Sequence, residues 1–238
     1  MKPFDSPILV LGMHRSGTSL LTGCLEAAGL HLGQVNNAAP HNKKGNKENQ
    51  TIQNWHESIL ACRGFSWKCP PSAGLVWSPE ESEELLNLLN PYKDSSVLWG
   101  IKDPRLVWFV ESWLNLFPKA QLIAVFRHPS QVAQSLAARP GLLHMSMDEG
   151  LRLWANTNLR ILDLWQQFRF PLLHYTTDDR LNKEFFSPLE SFCERNGLTG
   201  NPRAFYDSSL THQSINSDIV PPPFMQIYRR LVSKSIPA

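Results

Sequence analysis

The segment ILVLGMHRSGTSLLTGCLEAAG, residues 8–29, constrains this chain more than any other. A short apolar run ends in glycine, a Gly-containing loop follows, and Leu21, Leu25 and Ala28 then recur at helical spacing up to Gly29. That order is strand, loop, helix. Further apolar runs have the same character: VLWGI at 97–101, LIAVF at 122–126 and PLLHY at 171–175. Between them lie helical patterns. SPEESEELLNLLN opens on Ser78 as a cap with Pro79 behind it, RHPSQVAQSLAA opens on Pro129, and EFFSPLESFCERNG closes on Gly197. In EGLRLWANTNLRILDLWQQF, the residues Leu151, Trp154, Leu159, Leu162 and Trp165 are expected on one side. A last helix is expected at MQIYRRLVSK. Residues 31–50 and 63–79 lack a period and are expected to be loops.

Short buried strands alternating with helices define an α/β fold, a P-loop-type three-layer arrangement with a central parallel sheet between helices. No linker breaks the 238 residues, so a single domain over 1–238 is expected. Ligands of such sheets sit beyond the C-terminal ends of the strands. The site is therefore expected at Gly12–Ser19, Lys102–Arg105, Arg127–Ser135 and near Tyr175.

Composition narrows the function. Charged residues make up 18% and hydrophobic ones 42%, which excludes a wholly disordered chain. A net charge of +2 excludes a strongly basic nucleic-acid coat but permits a local anion pocket. Cys24, Cys62, Cys69 and Cys193, spaced 38, 7 and 124 residues apart, fit no zinc pattern or redox pair and allow at most one bridge, Cys62–Cys69. No apolar stretch approaches the ~18 residues of a membrane span, and the N-terminal run is too short for a signal peptide; a cytoplasmic protein is expected. Eight Trp and eighteen Pro point to large buried rings and irregular connections.

The loop Gly12-x4-Gly17-Thr18-Ser19 can wrap backbone N–H groups around a phosphate and aim a helix N-terminus at it. In nucleotide-hydrolysing P-loops a lysine stands where Thr18 stands here. Without it, a phosphate or mixed-anhydride group suits the loop better than a triphosphate, with Arg15 supplying charge. At the third strand end, P-loop hydrolases usually carry an acid for a metal. This chain carries Arg127, with Ser135 two helical turns on: a fork and a neutral donor for an anion. A P-loop nucleotide or small-molecule kinase and a non-catalytic nucleotide-binding relic remain alternatives.

Taken together, GMHRSGTS and the Arg127-x7-Ser135 segment resemble the sulfotransferases that use 3′-phosphoadenosine 5′-phosphosulfate (PAPS), in particular the bacterial and Golgi-type branch with its tyrosylprotein and carbohydrate enzymes. The resemblance covers roughly residues 6–200. It implies that Arg15, Ser16, Gly17, Thr18 and Ser19 hold the 5′-phosphosulfate and that Arg127 and Ser135 hold the 3′-phosphate. HNKKGNKENQ is similar to the family's Asn-x-x-Gly-x-x-Glu stretch, which implies Glu48 as general base. WGIKDPR is similar to the Lys-Asp-Pro stretch, which implies Lys102 beside the transferred group, with Arg15 also catalytic. HYTTDDRL is similar to the Tyr-Glu-Asp segment, which implies Tyr175 near the adenine. The implied reaction is in-line, metal-independent transfer of a sulfuryl group to a hydroxyl of a carbohydrate, metabolite or tyrosyl acceptor, with no nucleic-acid partner.

Some features depart from the family pattern. The cytosolic members' catalytic His pattern and C-terminal Arg-Lys-Gly are absent, and Leu20 stands where those members have an aromatic residue. Ser214 has a weak counterpart near the sulfate in the tyrosylprotein enzymes. The eight histidines form no ligand spacing, with His41 and His56 nearest the expected site. Trp67 and Trp77 are equally compatible with an acceptor platform and with the core.

Overall fold

The computed structural model describes residues 3–37, 44–93, 96–207 and 220–235. His41, His212 and Ser214 lie outside them.

In chain order the elements are β1 (Ile8–Leu11), α1 (Thr18–Ala27), α2 (Gln50–Cys62), α3 (Pro79–Leu88), the one-turn α4 (Asn90–Lys93), β2 (Gly100–Lys102), a 3-10 turn (Pro104–Trp108), α5 (Val110–Leu116), β3 (Gln121–Arg127), α6 (Pro129–Ala137), α7 (Met147–Phe168), β4 (Leu172–Tyr175), a π-type turn (Asn182–Phe186), α8 (Ser187–Arg195) and α9 (Pro222–Ser235). The four strands pair in the order β2-β1-β3-β4, all parallel. The chain winds from β1 to β2 on one side and then to β3 on the other. The C-terminal mouth between β1 and β3 is therefore a topological switch point, the crevice in which such sheets bind ligands.

Strand side chains alternate between two cores. Leu9, Leu11, Ile101, Ala124, Phe126 and Leu172 face the larger one, built mostly with α2, α3, α5, α7 and α9. Ile8, Val10, Ile123, Val125 and Leu173 face the smaller one, built with α1 and α8. Burial on both faces explains why the strands read as continuous apolar runs. The large core is rich in indoles: Trp99, Trp113 and Trp154 are fully buried. Truncating such a ring to alanine costs about 3–5 kcal/mol. Trp154 also donates its indole N–H to the Arg127 carbonyl at 3.0 Å, tying α7 to the end of β3.

Helix starts follow their sequence signals. Ser78 and Ser146 each form a capping box, with Glu81 and Glu149 respectively, satisfying N–H groups that a helix start leaves over.

Some expectations change. The second strand begins at Gly100, because Leu98 and Gly100 hydrogen-bond to His31 instead. KDPR followed by an apolar run to about residue 117 reads as helical in the sequence; the run starts instead as a 3-10 turn, opened by Pro104 with the Asp103 carboxylate accepting from the Arg105 N–H, and becomes helical at Val110. On α7, Leu159 is 36% exposed and leaves the buried stripe. Cys62 and Cys69, whose bridge the spacing allows but does not call for, are exposed, free thiols. No helix among the described residues is long and apolar enough to cross a membrane.

Candidate functional site

All four strands end at one rim. In register, Val10 lies beside Lys102 and Arg127 beside Tyr175, so the candidate residues share the C-terminal edge of the sheet.

The loop after β1 has the backbone of an anion cradle. Arg15 and Gly17 take left-handed conformations, at φ 68° and 94°. Left-handed turns of this kind point successive N–H groups inward. Gly17 is the N-cap of α1 and has no side chain to cap it, so the first-turn N–H groups of α1 receive no cap from that side chain. A Cβ on Gly17 would lie 3.0 Å from the Tyr175 ring, so only glycine lets strand β4 close on the loop. The Ser16 hydroxyl is buried with no hydrogen-bond partner among the described residues, a donor suited to an anion oxygen. Thr18 is buried behind it.

Two subclusters occupy the rim. On the β3 side, the Arg15 Nε donates to the Ser135 hydroxyl at 2.7 Å. Arg127 is 8% exposed, donates its Nε to the Gln131 amide oxygen at 3.1 Å, and lies 5.0 Å from the Tyr175 ring centre. Burial lowers the pKa of Arg15, and the charge of Arg127 lowers it further. Burial lowers that of Arg127, with only Tyr175 opposing. Both guanidiniums stay charged (a guanidinium does not deprotonate in a protein), so the pair is a site of concentrated positive potential.

On the β2 side, the Lys102 ammonium lies 2.6 Å from the Glu48 carboxylate, and both are buried. Lys102 also donates to the Asn46 carbonyl at 3.0 Å, and the Ser19 hydroxyl donates to the same oxygen at 3.1 Å. The 44–49 loop is thus stitched to the first turn of α1 and the end of β2. The structure brings Arg15 together with Ser135, and Glu48 together with Lys102, across one mouth.

Behind Lys102 is a buried brace. Arg105 donates to Asp103 at 2.8 Å and pairs with Glu57, while His56 lies 2.7 Å from the other Asp103 oxygen. Burial opposes the charge on Asp103, but Arg105 and His56 outweigh it and hold the carboxyl well below its usual range. His56 is fully buried, stacked on Phe109, and accepts from the Trp113 indole at 3.3 Å. It is packed core and does not face the rim. Trp77 is likewise core, against Trp55 and Trp113.

Trp67 is different. It is half-buried, with the His14 ring 4.8 Å away and Arg139 5.9 Å from its centre. Burial, then the charges of Arg105, Arg139 and Lys102, push His14 well below the usual imidazole range, against Asp103. Sequence reasoning passed over Arg139 and gave His14 no role. Arg139 is four residues beyond Ser135, just past the C-cap of α6, and that helix-like spacing is the signal that finds it.

A loop-and-helix cradle lies at the switch point of a parallel sheet, with cations in place of a metal-binding acid, an arrangement suited to an anion. Residues 7–177 match the sulfotransferase family, and the chain belongs to it. Among solved structures, the sulfotransferase domain from the Synechococcus PCC 7002 olefin synthase is 19% identical, with 98% of this chain and 89% of that chain covered and a TM-score of 0.52. The sulfotransferase domain from the curacin biosynthetic pathway is 16% identical, with coverage of 98% and 99% and a TM-score of 0.55. Sulfotransferase STF1 from Mycobacterium tuberculosis H37Rv is 13% identical, with coverage of 96% and 76% and a TM-score of 0.50. These likenesses establish the fold. No curated protein matches the chain.

Proposed function

We propose that this protein transfers a sulfuryl group from PAPS to a hydroxyl acceptor without a metal, using Glu48 as general base. The observation that carries the reading is the pair of guanidiniums at the mouth between β1 and β3, half-buried Arg15 and buried Arg127, each with its pKa lowered by desolvation. An anion with two phosphate-type groups relieves that potential, and the unpartnered Ser16 hydroxyl and the glycine cradle suit one of them.

When bound, the nucleotide supplies an activated sulfuryl group. Ser16, Gly17, Thr18 and Ser19 hold its 5′ end through backbone N–H groups and hydroxyls. Arg127 and Ser135 hold the 3′-phosphate, and Tyr175, packed on Gly17, lies toward the adenine. Arg15, bonded to Ser135, links the two phosphate sites. Lys102 and Arg15 stabilise negative charge on the departing side, as in related group transfers where positioning and charge neutralisation do most of the work. Glu48, positioned by Lys102, takes the acceptor proton. The whole chain acts as one catalytic domain in this reading.

The test is binding of adenosine 3′,5′-bisphosphate in the presence of a chelator, followed by PAPS turnover against a panel of hydroxylated acceptors. Metal-free binding with turnover is expected. Binding that requires ATP and magnesium would favour a kinase and overturn the proposal.

A further inference from the structure

Arg139 is a half-buried cation that the nucleotide reading does not use. It follows the last turn of α6, past Ser135, and its Nε is shut from solvent without a hydrogen-bond partner among the described residues. Burial brings its pKa down to about 10, Arg15 adds to the shift, and Glu48 opposes it without prevailing. Arg139 therefore lies within electrostatic reach of both the donor side and the base, and no carboxylate among the described residues forms a salt bridge with it.

What faces Arg139 comes from a different part of the chain. Residues 63–78 carry no nucleotide motif, yet they bring the Trp67 ring to within 5.9 Å of the Arg139 guanidinium and 4.8 Å of the His14 ring. Lys68 places its ammonium 5.5 Å from the same indole centre and donates to the His144 carbonyl at 3.2 Å, joining this loop to the segment after α6. The His14 Nε2 is also buried without a hydrogen-bond partner among the described residues. The result is a flat indole wall flanked by two cations, with an unsatisfied guanidinium N–H and an unsatisfied ring nitrogen beside it. An indole wall takes a ring or an apolar body, and a guanidinium fork takes a carboxylate or phosphate. A neutral acceptor leaves the Arg139 donor unpaired, and that asymmetry discriminates more strongly than apolar fit.

We propose that Trp67, Arg139 and His14 form the acceptor subsite, and that it selects hydroxylated acceptors bearing an anionic group, held by Arg139 while the body of the molecule lies on Trp67. The proposal rests on the sulfotransfer reading and adds the acceptor class to it. Glu48, within the electrostatic reach of Arg139, is then the group that takes the acceptor proton.

The experiment uses the full chain saturated with adenosine 3′,5′-bisphosphate and two matched probe pairs: 4-hydroxyphenylacetate with its methyl ester, and 4-nitrophenyl glucuronide with 4-nitrophenyl glucoside. Calorimetry should show at least one acid bound tenfold or more tightly than its neutral partner. Arg139→Gln should reduce that preference below twofold, Arg139→Lys should restore part of it, and Trp67→Ala should weaken both members of the pair alike. Nucleotide affinity should stay within threefold in all three variants, which also reports that they fold. Equal binding of acid and neutral partner by the unaltered protein, or no binding of either pair, overturns the subsite. So does a preference that survives Arg139→Gln, or a tenfold loss of nucleotide affinity in that variant, which would move Arg139 to the donor. Failure of the bisphosphate to bind at all would instead overturn the donor reading, and titrating the same probes into the nucleotide-free protein then judges the subsite on its own.

Discussion

Arg15 and Ser135 are 120 residues apart in the chain and are joined by a 2.7 Å hydrogen bond from the guanidinium Nε to the hydroxyl. One belongs to the loop after β1 and the other to the helix after β3. Their contact crosses the switch point of the sheet and turns two strand–helix corners into one anion site.

Arg127→Ala should weaken binding of adenosine 3′,5′-bisphosphate about 10- to 100-fold, corresponding to loss of about 1.5–3 kcal/mol for hydrogen bonds to a charged group. Adenosine 5′-monophosphate, which lacks the 3′ group, should lose far less. Calorimetry with the two nucleotides gives the comparison, and equal losses would remove Arg127 from the 3′-phosphate.

Glu48→Gln keeps the shape of the side chain beside Lys102 and removes its capacity to take a proton. Nucleotide affinity should stay near that of the parent while turnover falls about 10²–10⁴-fold. Turnover close to the parent value excludes Glu48 as the base.

Gly17→Ala places a methyl group 3.0 Å from the Tyr175 ring on backbone at φ 94°. Stability should fall by about 1–2 kcal/mol from the left-handed backbone alone, and bisphosphate affinity should fall with it. A urea melt read alongside a binding isotherm checks both. An unchanged isotherm would show that the loop does not need to lie so close to β4.

Asp103 supplies a pH prediction. Its folded-state pKa is depressed below the unfolded value, despite burial, by Arg105 and His56. The native state therefore binds fewer protons than the unfolded chain as pH falls. The stability it contributes is complete above the ordinary carboxylate range, near pH 4, and is lost progressively as the pH drops below that range. Asp103→Ala at neutral pH, which strands Arg105 and His56, should cost about 3–5 kcal/mol. Asp103→Asn should flatten the acid limb of the stability curve, and an acid limb identical to the parent's would show that other carboxylates control it.

The strands were readable because each is a short apolar run buried on both faces, and the loop after β1 because Gly12, Gly17 and the following hydroxyls stand at a fixed local spacing between a strand and a helix. Arg127 and Ser135 were readable for the same reason, being local to one strand–helix corner. The rest depends on pairings that no local pattern encodes. Asp103 and His56 meet across 47 residues inside an aromatic core. Trp67 and Trp77 lie ten positions apart in an aperiodic loop, yet one faces the rim and the other the core. Their difference arises from distant anchors: Leu75 N–H bonds to the Trp108 carbonyl, and Trp77 N–H to the Ser112 hydroxyl. Arg139 escaped because it falls just past the end of α6, although it keeps that helix's spacing from Ser135.

The indole of Trp154 grips the backbone carbonyl of Arg127 from the middle of α7. A mutation that merely loosens the packing of α7 can therefore shift the guanidinium without touching any ligand. Variants selected for poor nucleotide capture should include substitutions along that buried helix, and raising their folding stability elsewhere should win back part of the lost affinity.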